Sequence, residues 1–332
     1  MIPEPPVSAL PAEESGSAHH ESDAERAGRT RDNNGAGDGT AQREVPPPEA
    51  WRRDYQGQLV QADAEGYHDR ARRLRGFGSW HAVATDTILL VIVEVLLSFV
   101  LGAAAFGVIF LHGNYLTPGV GANTAINRAA ADLTHWLASP TGLGLSALVT
   151  QGSIFLILQL RVVGRGLLSW NEIGLGRTLG NRPGRAFVVG LGIGLAAFAA
   201  GEVLLLAMHA IGLPVSGQQQ ELASVRHTRI LSFLFFAFTA AITAPIAEES
   251  FFRAYALRVL TVRYGFPIGI AISSLFFGLL HLTGGVGLVF VPLIVIGALL
   301  ALGYGRTGNL ITNITAHALN NLIGVILLVT GG

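Results

Sequence analysis

Residues Thr243–Leu257 read TAPIAEESFFRAYAL, and they place this chain in a membrane. Two adjacent carboxylates, Glu248 and Glu249, and one guanidinium, Arg253, lie in a run that is otherwise apolar from about residue 230 to 258. An ionisable side chain inside a membrane span is costly and marks a functional site by default. Two more apolar runs each carry a polar cluster. Ser273–Gly285, SSLFFGLLHLTGG, holds His281 four residues after Phe277. Asn313–Gly324, NITAHALNNLIG, holds His317 four residues before Asn321. Glu and His activate water, bind metal ions or stabilise an oxyanion. Three apolar segments with this set of side chains point to hydrolytic chemistry.

Composition agrees with a membrane body. Half the residues are hydrophobic, only 13% are charged, and the mean hydropathy is +0.48. A soluble domain carries about 25% charged residues. The acidic side chains crowd into the first quarter of the chain. Beyond Val83 they are only Asp86, Glu94, Asp132, Glu172, Glu202, Glu221, Glu248 and Glu249. The zero net charge therefore averages a polar tail with an apolar body, and neither is basic enough for nucleic-acid binding. With no cysteine, disulfides, thiolate catalysis and Cys-ligated metals are excluded.

The fold class expected is all-α: a polytopic helical bundle of about seven transmembrane helices behind a disordered tail. Residues 1–83 form the polar cytoplasmic tail. Their first 48 or so are rich in Pro, Ala, Glu, Gly and Ser and bury too little apolar area to order themselves. Residues 50–75 have the makings of a short surface helix beside the membrane. The start of the chain lacks an apolar signal region, so the first long run acts as an uncleaved anchor. Residues 84–332 form the membrane domain, with spans at about 84–111, 143–163, 186–212, 230–258, 267–283, 285–304 and 309–330. Arginines orient them. Arg70, Arg72, Arg73 and Arg75 precede the first span; Arg161, Arg165, Arg177, Arg182 and Arg185 lie around the second connection; Arg258, Arg263 and Arg306 mark later ends on the same side. The alternate connections hold only Arg128, Arg226 and Arg229. The asymmetry predicts an integral plasma-membrane protein with its N-terminus in the cytoplasm and its C-terminus outside.

Spacing predicts that the polar clusters meet. With the turn between the fourth and fifth spans at Tyr264–Pro267, Glu248 and His281 each lie about 16 residues from its centre and so sit level in an antiparallel hairpin. Counting from Arg258 and Arg306 puts Glu248 and His317 at similar depth, ~15 Å inside the boundary at ~1.5 Å rise per residue. Pro245 is a candidate kink. Glu249 and Arg253 share a face at i,i+4, which favours an ion pair. Glu248 points about 100° away, free to face a cavity. His317 and Asn321 share a face, and Phe277 can pack beside His281. The pair Gly284-Gly285 is a candidate end for the fifth helix. Glu94, Glu202 and His209 are further polar residues within spans; the last two share a face and line a cavity or join helices.

These residues resemble the CAAX-protease and bacteriocin-processing family, also called the CPBP or Abi family. Its pattern is E-E-x-x-x-R, F-x-x-x-H and H-x-x-x-N or D, each on a membrane helix. Glu248-Glu249…Arg253, Phe277…His281 and His317…Asn321 supply all three in order, over a motif core of about 230–325. The resemblance implies an intramembrane endopeptidase acting on a membrane-associated protein or peptide, in contact with the lipid bilayer. It implies Glu248 as the water-activating base with His281 beside it, and His317 and Asn321 as water ligands or oxyanion donors. Glu249, Arg253 and Phe277 then support the site.

Two versions of the chemistry stay open on the residues. In one, Glu248 deprotonates water while His317 and Asn321 hold the oxyanion. In the other, Glu248, His281 and His317 bind a divalent metal such as zinc, and the base must be another group. Asn is an uncommon zinc ligand, which favours the metal-free version. The rival to an enzyme is a membrane scaffold or bacteriocin-immunity protein that keeps the motifs without cleaving.

Overall fold

The computed structural model describes residues 80–175, 183–213, 230–284 and 287–330, all within one unit running from Val45 to Gly332. The tail, the expected surface helix at 50–75, and Arg177, Arg182, Arg226 and Arg229 lie outside the described residues. The described residues form helices and no strand. They are α1 (Trp80–His112), α2 (Ala122–Leu137), α3 (Pro140–Val163), the short α4 (Trp170–Ile173), α5 (Pro183–Ala210), α6 (Ile230–Tyr264), α7 (Phe266–Leu280), α8 (Phe290–Thr307) and α9 (Leu310–Thr330).

Six of these, α1, α3, α5, α6, α8 and α9, are long and apolar enough to cross a membrane. The shorter apolar α7 is the seventh membrane-type helix. The chain is an integral membrane protein, and the expected all-α bundle is observed. The first helix begins at Trp80, four residues before the expected start. The fourth runs on to Tyr264, six residues past the expected end, because nothing in Arg258–Tyr264 breaks a helix. Gly265 then makes the turn with φ +85°, a conformation that favours glycine, and Pro267 sits in the first turn of α7. α7 stops at Leu280, before the glycine pair, and passes into a 3₁₀ turn over His281–Gly284.

The centre of the bundle is α6. Every residue from Ala247 to Val262 is buried, as expected of a helix surrounded on all sides. α3, α7 and α9 pack along it, and α5 lies against α8 and α9. At Gly194 a Cβ would meet the Ala316 carbonyl oxygen at 2.6 Å, so only glycine lets α5 lie on the backbone of α9 just before His317.

One end of the bundle is tied by buried polar groups. Arg161 Nε donates to Asp86 at 2.7 Å, and the Tyr255 hydroxyl donates to the other oxygen of Asp86 at 2.5 Å. Arg258 donates to the Glu172 carbonyl at 2.6 Å and to the Tyr304 hydroxyl at 2.6 Å. Arg258 is also one of the arginines counted above as marking the cytoplasmic boundary. It is 5% exposed, because these two oxygens and the Tyr304 ring replace its water.

Candidate active site

The carboxylates of α6 lie between two π-helical segments, Thr239–Thr243 and Ser250–Leu257. Such segments concentrate at functional sites. The first has a visible cause. Pro245 has no N–H to give, so the carbonyl five residues before it, that of Ala240, needs another donor, whereas the Thr239 carbonyl already accepts from Ala244 N–H. Asn321 Nδ2 of α9 reaches the Ala240 oxygen at 2.9 Å, and Gln151 Nε2 of α3 reaches the Thr239 oxygen at 3.2 Å. The Thr243 hydroxyl also donates to Thr239, at 3.1 Å. The distortion expected at Pro245 is thus a π turn held by side chains from two neighbouring helices.

Glu249 is fully buried and fully engaged. Its Oε1 lies 3.1 Å from Arg253 Nη1 and 2.9 Å from His317 Nδ1. Its Oε2 accepts from Asn313 Nδ2 at 3.1 Å. The contact with Nη1 is an ion pair without hydrogen-bond alignment. Arg253 also donates from Nη2 to the Gly297 carbonyl at 3.0 Å, and its guanidinium sits 4.6 Å from the centre of the Phe277 ring. A buried charge is tolerated when it is paired and hydrogen-bonded in this way.

Glu248 faces elsewhere. Its Oε2 lies 4.0 Å from His281 Nε2 and 3.9 Å from His317 Nε2, and it is buried without a hydrogen-bond partner. Each imidazole is oriented by its other nitrogen: His281 Nδ1 is 2.8 Å from the Phe277 carbonyl oxygen, and His317 Nδ1 is on Glu249. A carbonyl oxygen can only accept, so His281 carries its proton on Nδ1 there, and a neutral His281 presents a bare Nε2 to Glu248. The Phe277 ring packs against both, with centroids 5.0 Å from His281 and 5.7 Å from His317. Glu249 is sealed, whereas the His281 side chain is 27% exposed and marks the open side.

The structure therefore brings Glu248, His281 and His317 together from α6, the end of α7 and α9, with Glu249, Arg253 and Phe277 behind them. Asn321 is one turn beyond His317 and has one amide hydrogen on Ala240; Asn320 donates to its oxygen at 3.2 Å. Glu202 and His209 are exposed on α5 and take no part. Sequence reasoning missed Asn313, although it precedes His317 by four and lies on the same face. It also missed that Glu249 holds His317 as well as Arg253.

Tetrahedral ligands ~2.1 Å from zinc are ~3.4 Å apart, closer than the 3.9 and 4.0 Å between Glu248 and the two imidazoles. Among the described residues no group of three or more His, Cys, Asp or Glu has a metal-holding arrangement. Two atoms that each hydrogen-bond one water at ~2.8 Å are ~4–4.6 Å apart when the angle is right to tetrahedral. The spacing fits a water better than an ion.

Fold and site define an all-helical integral membrane protein with a buried Glu-Glu-Arg cluster facing two histidines. Residues 230–323 match the family model described as Rce1-like, type II CAAX prenyl endopeptidase Rce1-like. The match runs from the start of α6 into α9 and contains all three motifs, so the family resemblance holds over this segment. Comparison with curated proteins and with solved structures gives no match.

Proposed function

We propose that this protein is an intramembrane endopeptidase that hydrolyses a peptide bond of a membrane-associated protein or peptide, with Glu248 as general base. One observation carries the reading: Glu248 Oε2 has no partner of its own and faces two oriented imidazoles at 3.9 and 4.0 Å, while its neighbour Glu249 is committed to Arg253 and His317. The match to an endopeptidase family over the same helices supports it.

Glu248 takes a proton from a water whose second hydrogen is accepted by Nε2 of His281. The resulting hydroxide attacks the scissile carbonyl carbon. The tetrahedral oxyanion accepts hydrogen bonds from Nε2–H of a protonated His317, held on the Glu249 carboxylate, and from the Asn321 amide hydrogen not used by Ala240. As the C–N bond breaks, Glu248 returns its proton to the leaving amine. The products are a carboxylic acid and an amine, and the base is regenerated. Preorganised donors aimed at the oxyanion supply the largest part of the acceleration.

The arginines on the α3, α6 and α8 ends favour an orientation with the N-terminus in the cytoplasm. The substrate library includes prenylated C-terminal peptides, because the matched family's description names them, alongside unprenylated ones.

The test is cleavage of that library by reconstituted protein. Wild type cleaves at least one peptide. Glu248→Gln accumulates in membranes and binds the same peptide without cleaving it. Near-wild-type cleavage by this variant removes Glu248 from the base role. Binding without cleavage by the wild type identifies a scaffold or immunity protein instead.

A further inference from the structure

We propose that the groove between α5 and α8 binds an anionic phospholipid, with its phosphate on Arg185 and Arg306 and one acyl chain laid along the groove. The proposal goes beyond the endopeptidase reading and does not rest on it.

The groove has a volume of about 290 Å³. Val189, Ile193 and Ala196 of α5 form one wall, Leu299 and Leu302 of α8 form the other, and Arg306 stands at one end. None of these residues belongs to the candidate active site. Val189, Ile193 and Ala196 recur on one face of α5, as Leu299, Leu302 and Arg306 do on α8. The two helices touch where a Cβ at Gly303 would meet Ile193 Cδ1 at 2.8 Å, and again where Gly201 meets Ile296. That antiparallel register sets Val189 level with Thr307, which also lines the groove. Arg185 precedes Val189 by four residues, so it continues the same face one helical turn further toward the end that carries Arg306.

The charge at this end is uncompensated. Both arginines are exposed. Among the described residues neither makes an ion pair or a side-chain hydrogen bond, whereas Arg161, Arg253 and Arg258 are all engaged. The acidic residue of α5, Glu202, is 17 residues from Arg185, about 25 Å along the helix. α8 and α9 have no acidic residue. An apolar groove that ends in two unpaired guanidiniums complements an amphiphile with an anionic head. Guanidinium binds phosphate through paired hydrogen bonds, and basic pockets between membrane helices take up anionic headgroups. A zwitterionic head brings its own cation to the arginines and gains less. Val189 to Ala196 spans seven residues, about 10 Å, which suits the part of an acyl chain next to the headgroup. Because α5 also bears on the Ala316 carbonyl of α9 through Gly194, a lipid that ties α5 to α8 steadies the helix carrying His317.

The test is lipid retention by the full-length protein, read by native mass spectrometry with dioleoylphosphatidylglycerol and dioleoylphosphatidylcholine supplied at equal concentration. The wild type is expected to retain one phosphatidylglycerol in preference to phosphatidylcholine. Arg185→Gln and Arg306→Gln each lower that preference about fivefold, and the double variant about 25-fold, the scale of one arginine–anionic lipid contact apiece. Both side chains are exposed, so these variants fold. Ala196→Phe fills the groove, keeps both arginines and abolishes retention. Phosphatidylglycerol raises the Tm of the wild type more than phosphatidylcholine does, and the double variant loses the difference. Equal retention of the two lipids by the wild type overturns the proposal, as does an unchanged preference in the double variant. An equal loss in Arg165→Gln, an exposed arginine beyond α3, also overturns it, because the effect is then one of general surface charge. Displacement by glycerol 3-phosphate at equal concentration makes this a plain anion site, and conversion of a dimer to a monomer by Ala196→Phe makes it a contact with a second copy; either result refutes the lipid.

Discussion

Glu249 Oε1 lies 2.9 Å from His317 Nδ1 and 3.1 Å from Arg253, so one carboxylate neutralises the buried cation and aims the imidazole that faces Glu248. The two adjacent glutamates therefore divide their work by helical phase.

Glu249→Gln is expected to lower folded yield, measured by size-exclusion chromatography of detergent extracts. It strands Arg253 in a low-dielectric setting, and breaking a buried pair costs ~3–5 kcal/mol. Normal yield with no activity would mean that the two glutamates have exchanged roles.

Asn321→Ala is expected to lower kcat by ~10²–10³-fold, as for loss of an oxyanion donor, with substrate binding changed much less. The substitution also frees the Ala240 carbonyl, so thermal stability is measured in parallel. Asn320→Ala, which removes only the donor to Asn321, is expected to have a smaller effect. Equal loss of kcat in both variants would show that the pair supports the π turn and does not hold the oxyanion.

Cleavage is expected to survive exhaustive chelation, because the imidazole–carboxylate spacings suit a water. Stoichiometric zinc in active protein, lost together with activity in His281→Ala and His317→Ala, would overturn the metal-free chemistry.

The termini are expected on opposite sides of the membrane, with the N-terminus cytoplasmic. α7 has 15 residues, a reach of about 22 Å at 1.5 Å per residue, shorter than the ~30 Å hydrocarbon core. That shortness does not alter the parity. Phe266 at the start of α7 packs on Gly305 at the end of α8, so the hairpin returns to the side it left. Reporter fusions at both ends check this, and a C-terminus on the cytoplasmic side refutes it. Deleting residues 1–68 is expected to leave cleavage intact, given the composition of the tail.

Much of this arrangement was legible in the sequence. Hydropathy found the six long helices and the shorter α7 because each is an apolar run with few charges. The i,i+4 rule paired Glu249 with Arg253 and turned Glu248 away, and similar counts from the Gly265 turn placed His281 opposite Glu248. What the sequence hid depends on other helices. In the π turn at Thr239–Thr243, Asn321 supplies the donor that Pro245 cannot give to the Ala240 carbonyl and Gln151 adds a bond to Thr239, and neither is near it in the chain. Asp86, Arg161 and Tyr255 come from three separate helices, and nothing local announces their meeting. Glu94 read as one more polar residue in a span because its hydrogen-bond partner, Thr150 of α3, is brought to it by tertiary packing. The burial of Arg258 was likewise hidden, because its acceptors, the Glu172 carbonyl and the Tyr304 hydroxyl, come from other helices.

The π segments on either side of Glu248 and Glu249 also carry a record of length. A π turn is an α turn holding one residue more than it needs, and each residue advances the helix by about 100°. The angular setting of the two carboxylates is thus stored as surplus chain, not as side-chain identity. Removing one residue between Thr239 and Thr243 would leave a regular span of ample length, yet would swing the preceding half of the helix relative to the glutamates. The chemistry of this protein is written partly in how many residues the fourth span has, a quantity that no substitution can change.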